Sequence, residues 1–125
     1  MSLLKRERDT VVTCAWCPLP SYRNLICTGT KEGMMTGFDD TSSGELEIFD
    51  LKIQRDDEKM ERIGTYNSNQ RYTTLDWSLW GVADGKYPMG IIAGGRADGA
   101  IELYDPFHIV NGMLLFYYNI VTNRI

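Results

Sequence analysis

Residues 90–106, "GIIAGGRADGAIELYDP", set Gly90, Gly94, Gly95 and Gly99 between apolar runs, as a phosphate-cradling loop would. A P-loop also requires a Lys followed by Ser or Thr, and neither follows these glycines. A dinucleotide fingerprint requires G-x-G-x-x-G opening a helix, but Arg96 stands at the middle glycine position. The following "AIELYDP" alternates with period two, which predicts a strand, so no helix N-terminus is on hand to receive an anion. Asp98-Gly99 between alternating segments is instead a hairpin signal, because a tight turn needs a positive φ that glycine adopts without steric cost. This stretch is expected to turn a corner.

Cys14-Ala-Trp-Cys17 forms a C-x-x-C pair, a spacing that elsewhere holds zinc or a redox disulfide. On a strand, residues three apart point to opposite faces, so both sulfurs do not easily meet one metal. There is no second C-x-x-C, and a zinc site would need the distant Cys27 and His108 to complete it. The three cysteines are expected to be small packing residues. His108, the single histidine, lacks a G-x-S-x-G elbow and is expected in an exposed loop after Asp105-Pro106. Asp39-Asp40 and Asp56-Asp57-Glu58 lack the alternating oxygen spacing of a calcium loop and are expected as solubilising charges. No residue is assigned a catalytic, cofactor-binding or metal-binding role, and no cofactor is expected.

The 125 residues are 43% hydrophobic with a formal net charge of −4, enough for one modest domain. An acidic balance opposes phosphate neutralisation, so no nucleic-acid partner is expected. The longest apolar run, "MLLFYYNIV" from Met113, is too short for a bilayer-spanning helix, so no membrane insertion is expected. "MSLLKRERDT" lacks the apolar core of a secretory signal, which points to a cytoplasmic chain.

The elements that position these residues repeat. "TVVTCAWCP" matches "RYTTLDWSLWG", "NLICTGTKEG" matches "GIIAGGRADG", and "ELEIFDL" matches "AIELYDP". Trp16 thereby pairs with Trp77, Gly29 with Gly95, Gly33 with Gly99, and Asp50 with Asp105. The first copy carries the additional "MMTGFDDTSSG" before its third strand, and residues 54–62 read as a charged loop. Strand-rich repeats ending in an aromatic-Asp dipeptide predict an all-β, partial WD-repeat propeller of about two blades, spanning about 10–66 and 70–106. Trp16 and Trp77, at equivalent places, are expected in the core, and Trp80 is the freer aromatic.

The order "AW-C-P", "TGT", "LEIFDL", "RYTTLDW", "GIIAGGRADGAIELYDP" and Ile109-Val110 resembles the N-terminal WD-repeat propeller of the larger outer-cage subunit of the COPII vesicle coat, the Sec-thirty-one family. The resemblance covers residues 3–112, including the long insertion in the first blade. It implies a non-enzymatic scaffold of the outer coat that buds vesicles from the endoplasmic reticulum, peripheral on those vesicles and at exit sites. Its partners would be other coat subunits, whereas the smaller propeller partner binds a region of the family absent from these residues. The positions carried over are structural: Trp16, Trp77, Asp50, Asp98, Gly99 and Asp105. Two readings compete with this one, another WD-repeat interaction module and a small thiol or nucleotide-binding enzyme.

The family pattern continues with further blades, whereas here "NGMLLFYYNIVTNRI" follows, so the chain reads as a truncated form in which 1–112 are propeller and 113–125 an atypical apolar tail. Closure takes about four to eight blades. Two blades leave strand edges unpaired, and self-association through those edges is expected unless residues 113–121 cover one of them.

Overall fold

The computed structural model describes residues 5–7, 10–32, 44–55, 59–112 and 118–121. They form β1 (Val11–Trp16), β2 (Leu25–Glu32), β3 (Gly44–Asp50), β4 (Glu61–Ser68), β5 (Tyr72–Ser78), β6 (Ile91–Arg96), β7 (Ala100–Tyr104), a short helix α1 (Pro106–Val110) and β8 (Tyr118–Val121). Two four-stranded sheets result, ordered β1-β2-β3-β4 and β5-β6-β7-β8. Every neighbouring pair is antiparallel. The chain is therefore all-β and built from two up-and-down sheets of blade form. β-branched and aromatic residues dominate "VVTCAW" and "YTTLDWS", where a pleated, half-buried surface suits them.

Register makes the two sheets near copies. Trp16 opposes Ile26, which opposes Phe49; Trp77 opposes Ile92, which opposes Tyr104. Cys14, Thr28 and Glu47 line up as Leu75, Gly94 and Glu102 do. Even the irregularities correspond, with a register shift between Val11 and Val12 in one sheet and between Tyr72 and Thr74 in the other. Residues 33–43, which include Gly33, Asp39, Asp40 and all of the insertion but Gly44, lie outside the described residues, as do residues 56–58.

Three elements depart from the sequence reading. Glu61 and Arg62, read as loop, begin β4, whose polar exposed positions hide the strand pattern. Residues 118–121, read as tail, pair with β7 as the outer strand of the second sheet, with Ile101 opposite Ile120 and Leu103 opposite Tyr118. Finally, "DPFHIV" is a helix start rather than a bare turn: the Asp105 side chain accepts a hydrogen bond from Phe107 N and Pro106 occupies the first helical turn. His108 accordingly sits half-buried in α1, its Nδ1 3.7 Å from Asp105 Oδ2, and not in an exposed loop.

Directly opposed residues share a sheet face and successive residues alternate. Each sheet thus has a front, bearing Trp16 or Trp77, and a back. The core is the back of the first sheet against the front of the second: Leu25, Cys27, Leu46 and Ile48 pack with Leu75, Trp77, Ile92 and Tyr104. β5 is the strand that lies over β1 and β2. Helix α1 clamps the same junction by seating Ile109 on Gly64 of β4, where an added Cβ would lie 2.9 Å from Ile109 Cγ2.

Candidate functional site

The glycine-rich stretch resolves into a hairpin whose glycines serve packing. Gly99, at φ +90°, donates its N–H to Arg96 O (3.1 Å) and closes the turn. Asp98 Oδ1 accepts from Ala100 N (3.1 Å), so its side chain also holds the turn. Gly94 faces the core, where a Cβ would lie 2.9 Å from the Tyr72 ring and 3.2 Å from Tyr104. Gly29 of the first sheet meets the same Tyr72 ring from the other side, at 2.8 Å. One tyrosine ring between two glycines sets the spacing of the sheets.

Around that ring runs a buried polar chain. Tyr104 O–H donates to Glu102 Oε2 (2.5 Å), and the Tyr72 and Tyr104 hydroxyls are 2.8 Å apart. Because the Tyr104 proton is committed to Glu102, Tyr72 is the donor of that pair. Arg96 then bonds Glu102 Oε1 through Nη1 and Asp98 through Nε and Nη2. Glu102 is 2% exposed and the Arg96 side chain 8%. Burial raises the ionisation of both tyrosine hydroxyls above the usual phenol range, most for Tyr104, where Tyr72 and Glu102 add to it. Asp98 hydrogen-bonded to Arg96 holds the guanidinium more firmly protonated, and the guanidinium in turn holds the Asp98 carboxyl below its usual value. In the first sheet Glu47, at the position of Glu102, is buried likewise and pairs with Arg62 at 3.1 Å. The two acids hold matching register positions on the fronts of the two sheets, in a period-two pattern with Phe49 and Tyr104, which is the signal that could have revealed them.

Asp50 and Asp105 both close turns with their own backbones, accepting from Lys52 N and Phe107 N at 3.0 Å. Trp77 is 4% exposed and its Nε1 donates to Met89 O (2.8 Å), two residues before β6. Trp16 makes the matching bond to Arg23 O, two residues before β2, yet is 56% exposed. The expectation that Trp16 lies in the core is corrected here. Its bond and register match Trp77, but among the described residues no sheet packs over Trp16, while Thr28, Glu47 and Phe49 on the same face are buried.

Cys14 is exposed, whereas Cys17 and Cys27 are buried in the core. Burial pushes the Cys27 thiol up to about 12 and raises Cys17 as well, the opposite of an activated thiolate. Among the described residues no group of three His, Cys, Asp or Glu side chains is placed to hold a metal ion. Native iodoacetamide labelling near pH 8 should therefore modify Cys14 first, and Cys17 and Cys27 only after denaturation. The raised thiols carry a sign for stability: their contribution is intact below the unfolded value of about 8.5 and is lost as pH rises toward the folded one. Unfolding free energy should fall through this alkaline window, and equal native labelling of all three cysteines would contradict the buried placement.

The back of the second sheet is open. A groove of about 530 Å³ runs along it, floored by Ile91, Ala93 and Leu103, with Trp80 and Tyr87 on one wall. Trp80 is 64% exposed, its ring centroid 5.7 Å from that of Tyr87. By register, Ile91, Ala93 and Leu103 occupy the places of Leu25, Cys27 and Ile48 in the first sheet. The groove is thus the second copy of the surface that receives Trp77.

No protein-family profile matches the chain. It is 36% identical over 110 residues to protein transport protein SEC31 of Dictyostelium discoideum, covering 88% of this chain and 8% of that protein. It is 37% identical over 81 residues to SEC31 homolog B of Arabidopsis thaliana, covering 62% of this chain and 7% of that protein. Against Sec31A of Homo sapiens the identity is 29% over 107 residues, 86% of this chain and 9% of the relative. The chain spans less than a tenth of the length of these relatives.

Proposed function

We propose that this chain, related over most of its length to Sec31 transport proteins, is a non-enzymatic scaffold module of the COPII outer coat, acting through protein–protein contacts in ER-to-Golgi vesicle budding. The observation that carries the reading is the 36% identity over 88% of the chain to a protein transport protein. The fold is compatible with it, since its charged and glycine-rich features are spent on turns and on the contact between sheets. Cytoplasmic localisation, peripheral on coated vesicles and exit sites, follows from the same reading. Among the described residues no helix is long and apolar enough to cross a membrane. Fold alone does not name a partner, so the partners are taken from the relatives as a class, other coat subunits.

Tagging the protein at its own locus tests the reading. Co-purification with coat subunits and concentration at ER exit sites are expected. A diffuse distribution with no coat subunit recovered overturns it. An antibody against residues 39–65 would report in the same cells the size of the protein that carries this segment.

A further inference from the structure

We propose that the turn between β3 and β4 is a binding site for an arginine side chain, filled within this chain by Arg6 and open to a guanidinium from elsewhere once the strap of residues 5–7 lifts. The inference is independent of the transport reading. Its warrant is the arginine already seated there. Arg6 Nε donates to Leu51 O (3.1 Å), and Nη2 donates to Arg55 O (3.0 Å) and Lys52 O (3.4 Å), acceptors 45 to 49 residues away in sequence. Nη1 turns back to Lys5 O (3.0 Å), which ties the side chain to its own segment.

The turn is shaped for this ligand. Lys52, at φ +50°, is the one non-glycine residue in the left-handed region among the described residues. Such a conformation persists only where the surroundings fix it. Here three bonds hold the backbone: Leu51 N donates to Asn24 O (2.8 Å), Lys52 N to Asp50 Oδ1 (3.0 Å) and Arg55 N to Lys52 O (3.0 Å). Those N–H groups are spent within the protein, and the carbonyls of Leu51, Lys52 and Arg55 converge on one guanidinium. A fixed array of neutral carbonyl oxygens suits a rigid planar fork of N–H donors better than an ammonium, which is a compact and strongly hydrated point charge. A hollow of about 300 Å³ lined by Asn24, Asp50, Lys52, Gln54, Arg55 and Glu61 opens beside the turn, so a ligand reaches it without parting the sheets.

The test is hydrogen exchange of the purified 125-residue chain, read residue by residue by NMR. Arg6→Ala empties the site, and Arg6→Lys offers it an ammonium. Both should speed exchange of the Lys52 and Arg55 amides by at least about tenfold, the factor that one hydrogen bond to a charged group is worth. The Gly99 amide, bonded in the β6–β7 turn, should keep its rate, and circular dichroism establishes that each variant is folded. Ethylguanidinium at millimolar concentration is the probe, because it is the head of an arginine without the chain. It should restore slow exchange in Arg6→Ala and leave the wild type unchanged, where tethering gives Arg6 the higher effective concentration. Ethylammonium should restore nothing. Unchanged exchange in Arg6→Ala overturns the proposal, since the turn then does not depend on a guanidinium. Faster exchange that ethylguanidinium fails to slow overturns it as well, leaving Arg6 a strut rather than a ligand. Equal rescue by ethylammonium also overturns it, by reducing the site to a patch of negative potential.

Discussion

Replacing Arg96 by methionine is expected to lower the unfolding free energy by about 3–5 kcal/mol, the scale of removing one partner from a buried ion pair. The reason lies in what is left behind. Glu102 is 2% exposed, and its carboxylate is held by Arg96 and by the Tyr104 hydroxyl. Without the guanidinium, one oxygen keeps its tyrosine donor and the other loses its charged partner. For a domain whose total stability is about 5–15 kcal/mol, such a loss brings the chain to the edge of unfolding. A second substitution separates this from general damage. Glu102→Gln in the Arg96→Met background removes the stranded charge and should restore a large part of the loss, giving a coupling energy well outside additivity. Asp98→Asn should cost much less, because Asp98 is about a third exposed and its Asx turn survives with the amide oxygen as acceptor. If urea unfolding finds Arg96→Met and Asp98→Asn equally mild, the buried chain of hydrogen bonds is not holding the sheets together.

Much of this arrangement was readable from local pattern, and what was not has a common cause. The repeat, the turn at Asp98-Gly99 and the strand character of "AIELYDP" follow from period-two alternation and glycine chemistry, both of which act within a few residues. The match of Trp16 to Trp77 followed from the same alignment, and the structure keeps it in register and in the indole hydrogen bond. What the alignment did not carry is which face of each sheet has a neighbour. Burial of Trp77 and exposure of Trp16 depend on the order in which the sheets stack, a long-range property absent from either copy by itself. β4 was hidden because half of its positions, Glu61, Arg62, Thr65 and Asn67, are exposed and carry polar side chains. β8 was hidden because "YNIV" ends an apolar and aromatic run interrupted only by Asn119, which gives no alternation to distinguish strand from tail. The helix at Pro106 was legible in retrospect from an Asp-Pro start, a signal shared with ordinary turns.

The buried acids show a different limit. In "ELEIFDL" and "AIELYDP", alternation places Glu47 with Phe49 and Glu102 with Tyr104 on one face, and apolar residues on the other as well. A strand flanked on both sides reads this way, and so does a strand with a polar outer face. Composition favours the second, because a buried glutamate is uncommon unless paired. Its partners, Arg62 and Arg96, come from neighbouring strands, and only the register brings them into reach. The network therefore belongs to the tertiary level even though each of its members is visible in the sequence.

Gly94→Val is expected to cost about 3 kcal/mol, at the upper end of overpacking a filled core. An added Cβ at Gly94 already meets Tyr72 Cε1 at 2.9 Å and Tyr104 Cε2 at 3.2 Å, and two further methyl carbons enlarge the conflict. Neither ring can easily withdraw: Tyr72 is pressed from the far side by Gly29, the two hydroxyls are tied to each other, and that of Tyr104 is tied to Glu102. Adjacent Gly95 supplies the control, since its direction is the open back and its closest neighbour is a single methyl of Thr74 at 2.9 Å. Gly95→Ala should be the milder change although the two residues are adjacent in one glycine pair. The two readings of this stretch then predict opposite experiments. A phosphate cradle would lose its ligand on either substitution and keep its stability, whereas a sheet junction loses stability at Gly94 far more than at Gly95. Tyr72→Leu should partly rescue Gly94→Val, because a smaller side chain opens the space the valine needs. Equal melting temperatures for Gly94→Val and Gly95→Ala, or a Tyr72→Leu effect that simply adds, would mean that the ring is not what requires glycine at this position.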